Sequence, residues 1–321
     1  MNFKNHRSEV SVAIAIAALS LVMVFAAPAF FTSENLSDLF LANIPVLVVA
    51  VGMTLVILAG EIDISVGSIF AICSVAAGVL AKAGLPPQIA LLAACSFGAG
   101  LGSINGALVA YARIPSIVVT LASMVALRDS LRWETQGAWV EDLPGAFQWF
   151  GLSQAAYPAL SSAAVALLVI VCAWALRNLA AGRAVYATGS NREGARLAGI
   201  DTSLVTFSVF AVAGMLTGFA AVLNSVRFNQ IPSNTGIGLE LKVIAAVIVG
   251  GASITGGVGT IPGTVLGVIL LGMIGPALTF LGVSAYWEKA IQGGIILTAI
   301  ILDVVRVRSE KQYGASAGIR A

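Results

Sequence analysis

Ala59-Gly-Glu-Ile-Asp-Ile-Ser-Val-Gly-Ser68 is a polar, glycine-flanked interruption between two apolar runs, Pro45 to Leu58 before it and Ile69 to Leu80 after it. Carboxylates at such a depth cost several kcal/mol unless they meet partners, water or an aqueous boundary. A helix that breaks there, with serine and glycine to satisfy the freed backbone, lines a cavity or a solute path. The stretch points to transport rather than anchoring. Because the span order puts Glu61 and Asp63 near the inner face, a short turn in which they meet water, or a structural lock, weighs more for them than direct contact with a solute.

Of the 321 residues, 59% are hydrophobic and 10% charged, against roughly 25% charged in soluble domains. The chain therefore reads as an all-α polytopic membrane protein. A span takes about 20 apolar residues, so there is room for eight to ten helices, counted at that length, in a single transmembrane domain over 1–321. Continuous runs such as Val12 to Phe25 exclude the alternating strands of a barrel. Lys4 and Arg7 before a long apolar run, with Ala26-Ala27-Pro28-Ala29 after it, resemble a signal peptide, but the length of the run favours a retained first helix. Cys73, Cys95 and Cys172 lie far apart in apolar spans, and the only histidine is His6. No metal site, cofactor or histidine chemistry is expected, nor does the chain have the features of a nucleic-acid binder. No phosphate-binding Gly-x-x-x-x-Gly-Lys-Ser/Thr stretch is present, so any ATP-driven step needs a motor on another chain.

Spans are expected near 11–31, 39–60, 62–81, 89–111, 116–132, 157–176, 203–226, 240–253, 261–283 and 287–305. The stretches 116–132 and 240–253 are short, as in broken or re-entrant helices. Lysine and arginine set the orientation. Lys4 and Arg7, then Arg177, Arg183, Arg192 and Arg196 in 177–202, then Arg306, Arg308, Lys311 and Arg320 all fall on one side with ten spans. That side is expected to be cytoplasmic, with both termini inside. The opposite segments 32–38 and 133–156 carry Glu34, Asp38, Glu134, Glu141 and Asp142 with no lysine or arginine. Five helices per half predicts two inverted halves. Gly98-x-Gly100-x-Gly102-x-x-Asn105-Gly106 and Gly256-Gly257-x-Gly259-x-x-Pro262-Gly263 echo one another as glycine clusters opening an apolar helix, although small residues also pack membrane helices generally.

Within 177–202, Ser190 or Asn191 can cap a short helix with Glu193 in its first turn, and Gly199 can end it. Ala195 and Ala198 leave a smooth surface beside Arg192 and Arg196, suited to docking in a partner's groove or to anionic lipid. Within 133–156, expected to be a periplasmic segment, the stretch 133–150 with Trp133, Trp139, Phe147, Trp149 and Phe150 reads as an aromatic belt or as an amphipathic helix receiving a partner. Arg128, Asp129, Arg132, Glu240 and Lys242 are charges at helix ends that snorkelling explains. Asn43, Asn105 and Asn224 inside spans, with Glu61, Asp63 and Ser65, are the pathway or gate candidates. Interhelical hydrogen bonding is the alternative for the asparagines.

Gly60-Glu-Ile-Asp-Ile-Ser-Val-Gly-Ser68 resembles the permease subunits of ribose-type monosaccharide ABC importers. The resemblance extends through Ile104-Asn-Gly-Ala-Leu-Val109, Ile114-Pro-Ser-Ile-Val-Val-Thr-Leu121, Ala195 to Ile200, Glu240-Leu-Lys-Val-Ile-Ala-Ala246, Gly250-Gly-Ala-Ser-Ile-Thr-Gly-Gly257 and Gly263-Thr264. It implies a ten-helix permease paired with an identical or homologous second subunit, cytoplasmic ATPase subunits docked on 177–202, and a periplasmic sugar-binding protein outside. It also implies that Glu193, Ala195, Arg196, Ala198, Gly199 and Ile200, beside the capping Asn191, couple to the ATPase. Leu127 to Leu143 is most similar to rhamnose-type permeases, with the autoinducer-type branch as a neighbour. Lys242 and Ile274-Gly-Pro276 depart from many relatives, which keeps sugar preference from being carried over.

The resulting expectation is a permease of the bacterial inner membrane, passing a rhamnose- or ribose-like sugar by alternating access without catalysing any reaction itself. A proton- or sodium-coupled transporter using Glu61 or Asp63 is the rival. An intramembrane enzyme is disfavoured because no nucleophile–base pair is evident.

Overall fold

A computed structural model describes residues 3–284 and most of 286–301. It is helical: α1 (Phe3–Ala26), α2 (Ser33–Leu58), α3 (Val66–Lys82), α4 (Pro87–Ala110), α5 (Ser116–Thr135), α6 (Tyr157–Asn178), α7 (Ala180–Ser190), α8 (Arg192–Leu197), α9 (Thr202–Ser225), α10 (Leu239–Val249) and α11 (Ile261–Phe280). The described positions between 286 and 301 are helical too. The rest of the expected tenth span, and Arg306, Arg308, Lys311 and Arg320, lie outside the described residues. Among the described residues, α1, α2, α4, α6, α9 and α11 are long and apolar enough to cross a membrane. The chain is a multi-pass membrane protein.

α2 is the centre of the bundle. Its apolar window is 78% buried, against 11% for α1 and 17% for α6, which ring the outside. With lipid as apolar as leucine, burial alone does not hold such helices together; close packing does. α4 lies along α9 at backbone distance: a Cβ on Gly98 would fall 2.2 Å from the Gly214 carbonyl oxygen, and one on Gly102 2.3 Å from that of Phe210. α11 meets α10 in the same manner, Gly263 against Gly250 and Gly267 against Ala246. α3 packs on α4, α5 and α9; α11 packs on α1, α2 and α10.

Three expectations change. α5 runs for 20 residues and is not short, whereas α10 has 11, about 16 Å of helix against a core of about 30 Å. The two glycine clusters are not equivalents. Gly98 and Gly102 lie in the middle of α4, where they let α9 approach. Gly256, Gly257 and Gly259 have positive φ in the connection before α11. Segment 136–156 contains no amphipathic helix: it folds back on the α9–α10 connection, with Val140 bridged to Ile231, the Trp149 amide donating to the Val226 carbonyl at 2.7 Å and Phe147 buried.

Candidate functional site

α2 stops because Gly60, at φ +83°, turns the chain left-handed. The Glu61 amide then reaches back to the Val56 carbonyl at 3.1 Å, a glycine-terminated helix end. Residues 61–64 take no regular secondary structure, Ser65 is in a turn, and α3 starts at Val66. Glu61, Asp63 and Ser65 are all buried, and side chains replace the missing helical hydrogen bonds. Asp63 Oδ1 accepts from the Ser65 amide at 2.9 Å and the Ser65 hydroxyl at 2.6 Å. Asn105 of α4 donates to Ser65 Oγ at 2.9 Å and accepts from Ser123 of α5 at 2.5 Å. The Ile62 amide donates to Ser116 Oγ at 3.3 Å, and Thr120 donates to the Ile62 carbonyl at 3.4 Å. Ser116, Thr120 and Ser123 share one face of α5 at helical spacing. That spacing was readable in the sequence and signals a polar stripe inside a span.

Glu61 has a different partner. Arg192 donates to its Oε1 at 2.6 Å and to Thr206 of α9 at 2.9 Å. Arg192 opens α8, whose N-cap is Asn191: its Oδ1 accepts from the Gly194 amide at 2.9 Å. Gly199, at φ +82°, ends the turn. The 177–202 stretch is thus not a loop with one short helix; it also holds α7, which buries Gly182, Val185 and Thr188. α7 ends at a backbone crossing. A Cβ on Gly189 would fall 1.9 Å from the Leu58 carbonyl oxygen, and the Gly257 amide donates to that same oxygen at 3.0 Å. Tyr186 donates to the Gly259 carbonyl at 2.8 Å, and burial raises its phenol pKa above the ordinary value. The α2–α3 break, the α7–α8 pair and the α10–α11 connection therefore meet at one end of the molecule.

On α8, Ala195 is buried, which removes it from the docking face that the sequence suggested, while Leu197 is 83% exposed. Glu193 and Arg196 pair with each other at 3.6 Å on the surface; Ala198 and Gly199 are exposed and Ile200 half-buried. A cavity of about 680 Å³ opens beside them, lined by Glu61, Arg113, Arg192, Arg196, Asp201 and Thr206 among others. Of the remaining pathway candidates, Asn105 belongs to the break. Asn43 instead donates to the Leu39 carbonyl at 2.7 Å and packs against Gly272 of α11. Asn224 lines a second cavity at the opposite end. Arg128 does more than snorkel: it donates to the Thr235 carbonyl at 2.7 Å, tying α5 to the α9–α10 connection. Arg192, Thr206 and Leu197 are the site residues that sequence reasoning missed in these roles; a pair separated by 131 positions leaves no local signal.

Residues 35–300 match the model of the family described as branched-chain amino acid transport system / permease component. The chain is 35% identical over 295 residues to the autoinducer 2 import system permease protein LsrC of Enterobacter sp. (strain 638), covering 92% of this chain and 86% of that protein. It is 36% identical over 299 residues to LsrC of Salmonella typhimurium (strain LT2), covering 90% and 85%. With LsrC of Yersinia pseudotuberculosis (serotype O:3, strain YPIII) it shares 34% over 308 residues, covering 94% and 86%. No solved structure matches significantly. A family match over most of the chain and relatives of this likeness, joined to a bundle with a polar helix break tied to a surface helix, make the chain a member of this permease family, the membrane component of a transport system rather than an enzyme.

Proposed function

We propose that the chain is the membrane-spanning permease of an ATP-driven importer in the bacterial inner membrane, carrying a small neutral sugar-like solute. The relatives are named for import of autoinducer 2, and they belong to the neighbouring branch that the resemblance already included. The observation that carries the mechanism is the Glu61–Arg192 pair. It joins a surface helix with an exposed leucine to the point where a buried helix breaks. A pull on α8 is transmitted to the break and, through the Gly189 crossing, to the α10–α11 connection.

In this reading the molecule has ten spans with both termini cytoplasmic. The end bearing α8 and the arginines of 177–202 faces the cytoplasm. ATPase subunits engage Asn191, Glu193, Arg196, Ala198, Gly199 and Ile200 on a surface completed by Leu197. A second permease subunit completes the pathway, and a solute-binding protein docks at the 133–156 end. Two inverted halves are supported by the packing partners: α4 lies on α3 and α9, while α11 lies on α10 and α2. Exchanging α2 with α9, α3 with α10 and α4 with α11 turns the first set into the second.

The ion-coupled alternative is not favoured. Glu61 is compensated by Arg192, and one oxygen of Asp63 is occupied by two donors, which leaves no open carboxylate pair for a cation. The test is purification from membranes in mild detergent. A stoichiometric ATPase subunit that disappears on altering α8 supports the importer; a stable lone chain that takes up solute in vesicles without ATP overturns it.

A further inference from the structure

At the end opposite α8, a cavity of about 410 Å³ lies between the 136–156 segment and the α9–α10 connection. That volume is within the range of about 300–1,000 Å³ typical of small-molecule sites. Its useful lining is of two kinds. Trp139 and Phe228 are each about half exposed, at 47% and 48%. Asn224, Asn229, Gln230 and Thr235 supply amide and hydroxyl groups. Asn224 and Thr235 are half-buried, while Asn229 and Gln230 are exposed at its mouth, where their amides face solvent and are open to a ligand. No residue lining the cavity is charged.

The backbone that carries these groups is held from several sides. Ile231 is bridged to Val140, and the Leu143 amide donates to the Asn229 carbonyl at 3.0 Å. Ser233 donates to the Gly137 carbonyl at 3.0 Å, and Arg128 to the Thr235 carbonyl at 2.7 Å. The Arg227 guanidinium stands 5.5 Å from the Phe228 ring centroid and steadies that ring. Exposed amides on a fixed backbone, beside aromatic rings, suit one ligand chemistry. Hydroxyl groups pair with the amides, and the C–H face of a ring lies on the aromatic surface. The nearest guanidiniums, Arg128 and Arg227, do not line the cavity and each donates to a backbone carbonyl, so a zwitterionic amino acid or a phosphorylated sugar would meet no charged lining residue.

We propose that this cavity is a reception site for a neutral polyhydroxylated solute of monosaccharide size, held by Asn224, Asn229, Gln230 and Thr235 and stacked on Trp139 or Phe228. It deepens the importer reading and rests on it for the direction of travel, the site being the first stop on the outer side. Its binding is weak, because a permease fed by a binding protein needs release more than capture.

The test uses the full chain with its ATPase and binding protein in cells, carrying a cysteine at the lining position Pro232 (Pro232→Cys), which holds no part of the solute, and labelled by a membrane-impermeant thiol reagent. The probes are neutral pentoses, hexoses and 6-deoxyhexoses, with glucose 6-phosphate and leucine as charged controls. At a Kd of about 1 mM, a neutral sugar at about 10 mM fills about nine-tenths of the sites and slows labelling about tenfold. Protection by no neutral sugar, or by the charged probes instead, overturns the proposal. Uptake is measured in parallel: Asn229→Ala with Gln230→Ala lowers uptake efficiency about tenfold, whereas Trp139→Phe retains more uptake than Trp139→Ala. Wild-type uptake that this double variant leaves unchanged sinks the site but not the importer. Sugar protection without any ATP-dependent uptake sinks the importer but not the site.

Discussion

The Arg192 guanidinium stands 2.6 Å from the Glu61 carboxylate, joining the first residue of α8 to the break between α2 and α3. The pair is lopsided: the Glu61 side chain is 10% exposed and that of Arg192 48%. Removing the arginine leaves a nearly buried carboxylate without its cation. The cost for a fully buried pair is about 3–5 kcal/mol; solvent around the guanidinium lowers it here to about 1–2 kcal/mol. Arg192→Ala is expected to lower the melting temperature in detergent more than Glu61→Gln, which removes the charge along with the need for it. The two changes should be non-additive by about 1 kcal/mol in a double-mutant cycle. Additive effects would mean that the pair transmits nothing.

Asp63 is held by its neighbours differently. Its Oδ1 takes both Ser65 donors, and its buried Oδ2 has no partner among the described residues. The site uses the acceptor oxygen rather than the charge. Asp63→Asn is therefore expected to keep the fold and to retain uptake, since an amide oxygen still accepts both bonds. Asp63→Ala strands the two donors at about 1–3 kcal/mol and should reduce the yield of folded protein. Abolition of uptake in Asp63→Asn, with the fold intact, would return the ion-coupled mechanism to consideration.

Asn105 shows how far the sequence could be read. It stood out as a neutral polar group inside a span, and its position in α4 left two outcomes open. The structure gives it an interhelical role, donating to Ser65 and accepting from Ser123. The break at 59–68, a cap at Ser190 or Asn191, the stop at Gly199 and the apolar helices were legible because each is written in a few adjacent residues. The Gly189 crossing with Leu58 and the Arg192 pair were not, because they depend on which distant segments share an end of the bundle. α7 was hidden by composition: Gly182, Gly189 and Ser190 read as loop, yet Gly182, Val185 and Thr188 recur at the spacing of one helix face.

Glycines of α4 divide into those that touch α9 and those that do not. A Cβ on Gly102 would meet the Phe210 oxygen at 2.3 Å, whereas one on Gly100 meets nothing within 4 Å. Alanine gains roughly 0.5–1 kcal/mol over glycine inside a helix. At Gly102, forcing backbone apart outweighs that gain, since overpacking costs about 1–3 kcal/mol. Gly102→Ala should destabilise the detergent-solubilised protein, and Gly100→Ala should leave it equal or more stable. Equal melting of the two variants would show that α4 and α9 are not in backbone contact.

Leu197 tests the docking surface with the least risk to the fold. Single exposed apolar residues are common and usually inert, but this one ends a six-residue helix among charged side chains, where water gives it no reason to be a leucine. At 83% exposure its replacement by alanine or glutamate should change stability by no more than about 0.5 kcal/mol. As an anchor in a partner's groove it is worth more than about 1 kcal/mol, so Leu197→Glu is expected to lose the ATPase subunit on purification while the chain inserts and melts normally. Leu197→Ala should weaken the complex by about fivefold to tenfold. Full retention of the ATPase and of uptake in Leu197→Glu would move the docking surface off this face of α8 and leave Glu193, Arg196 and Gly199 to be tested in its place.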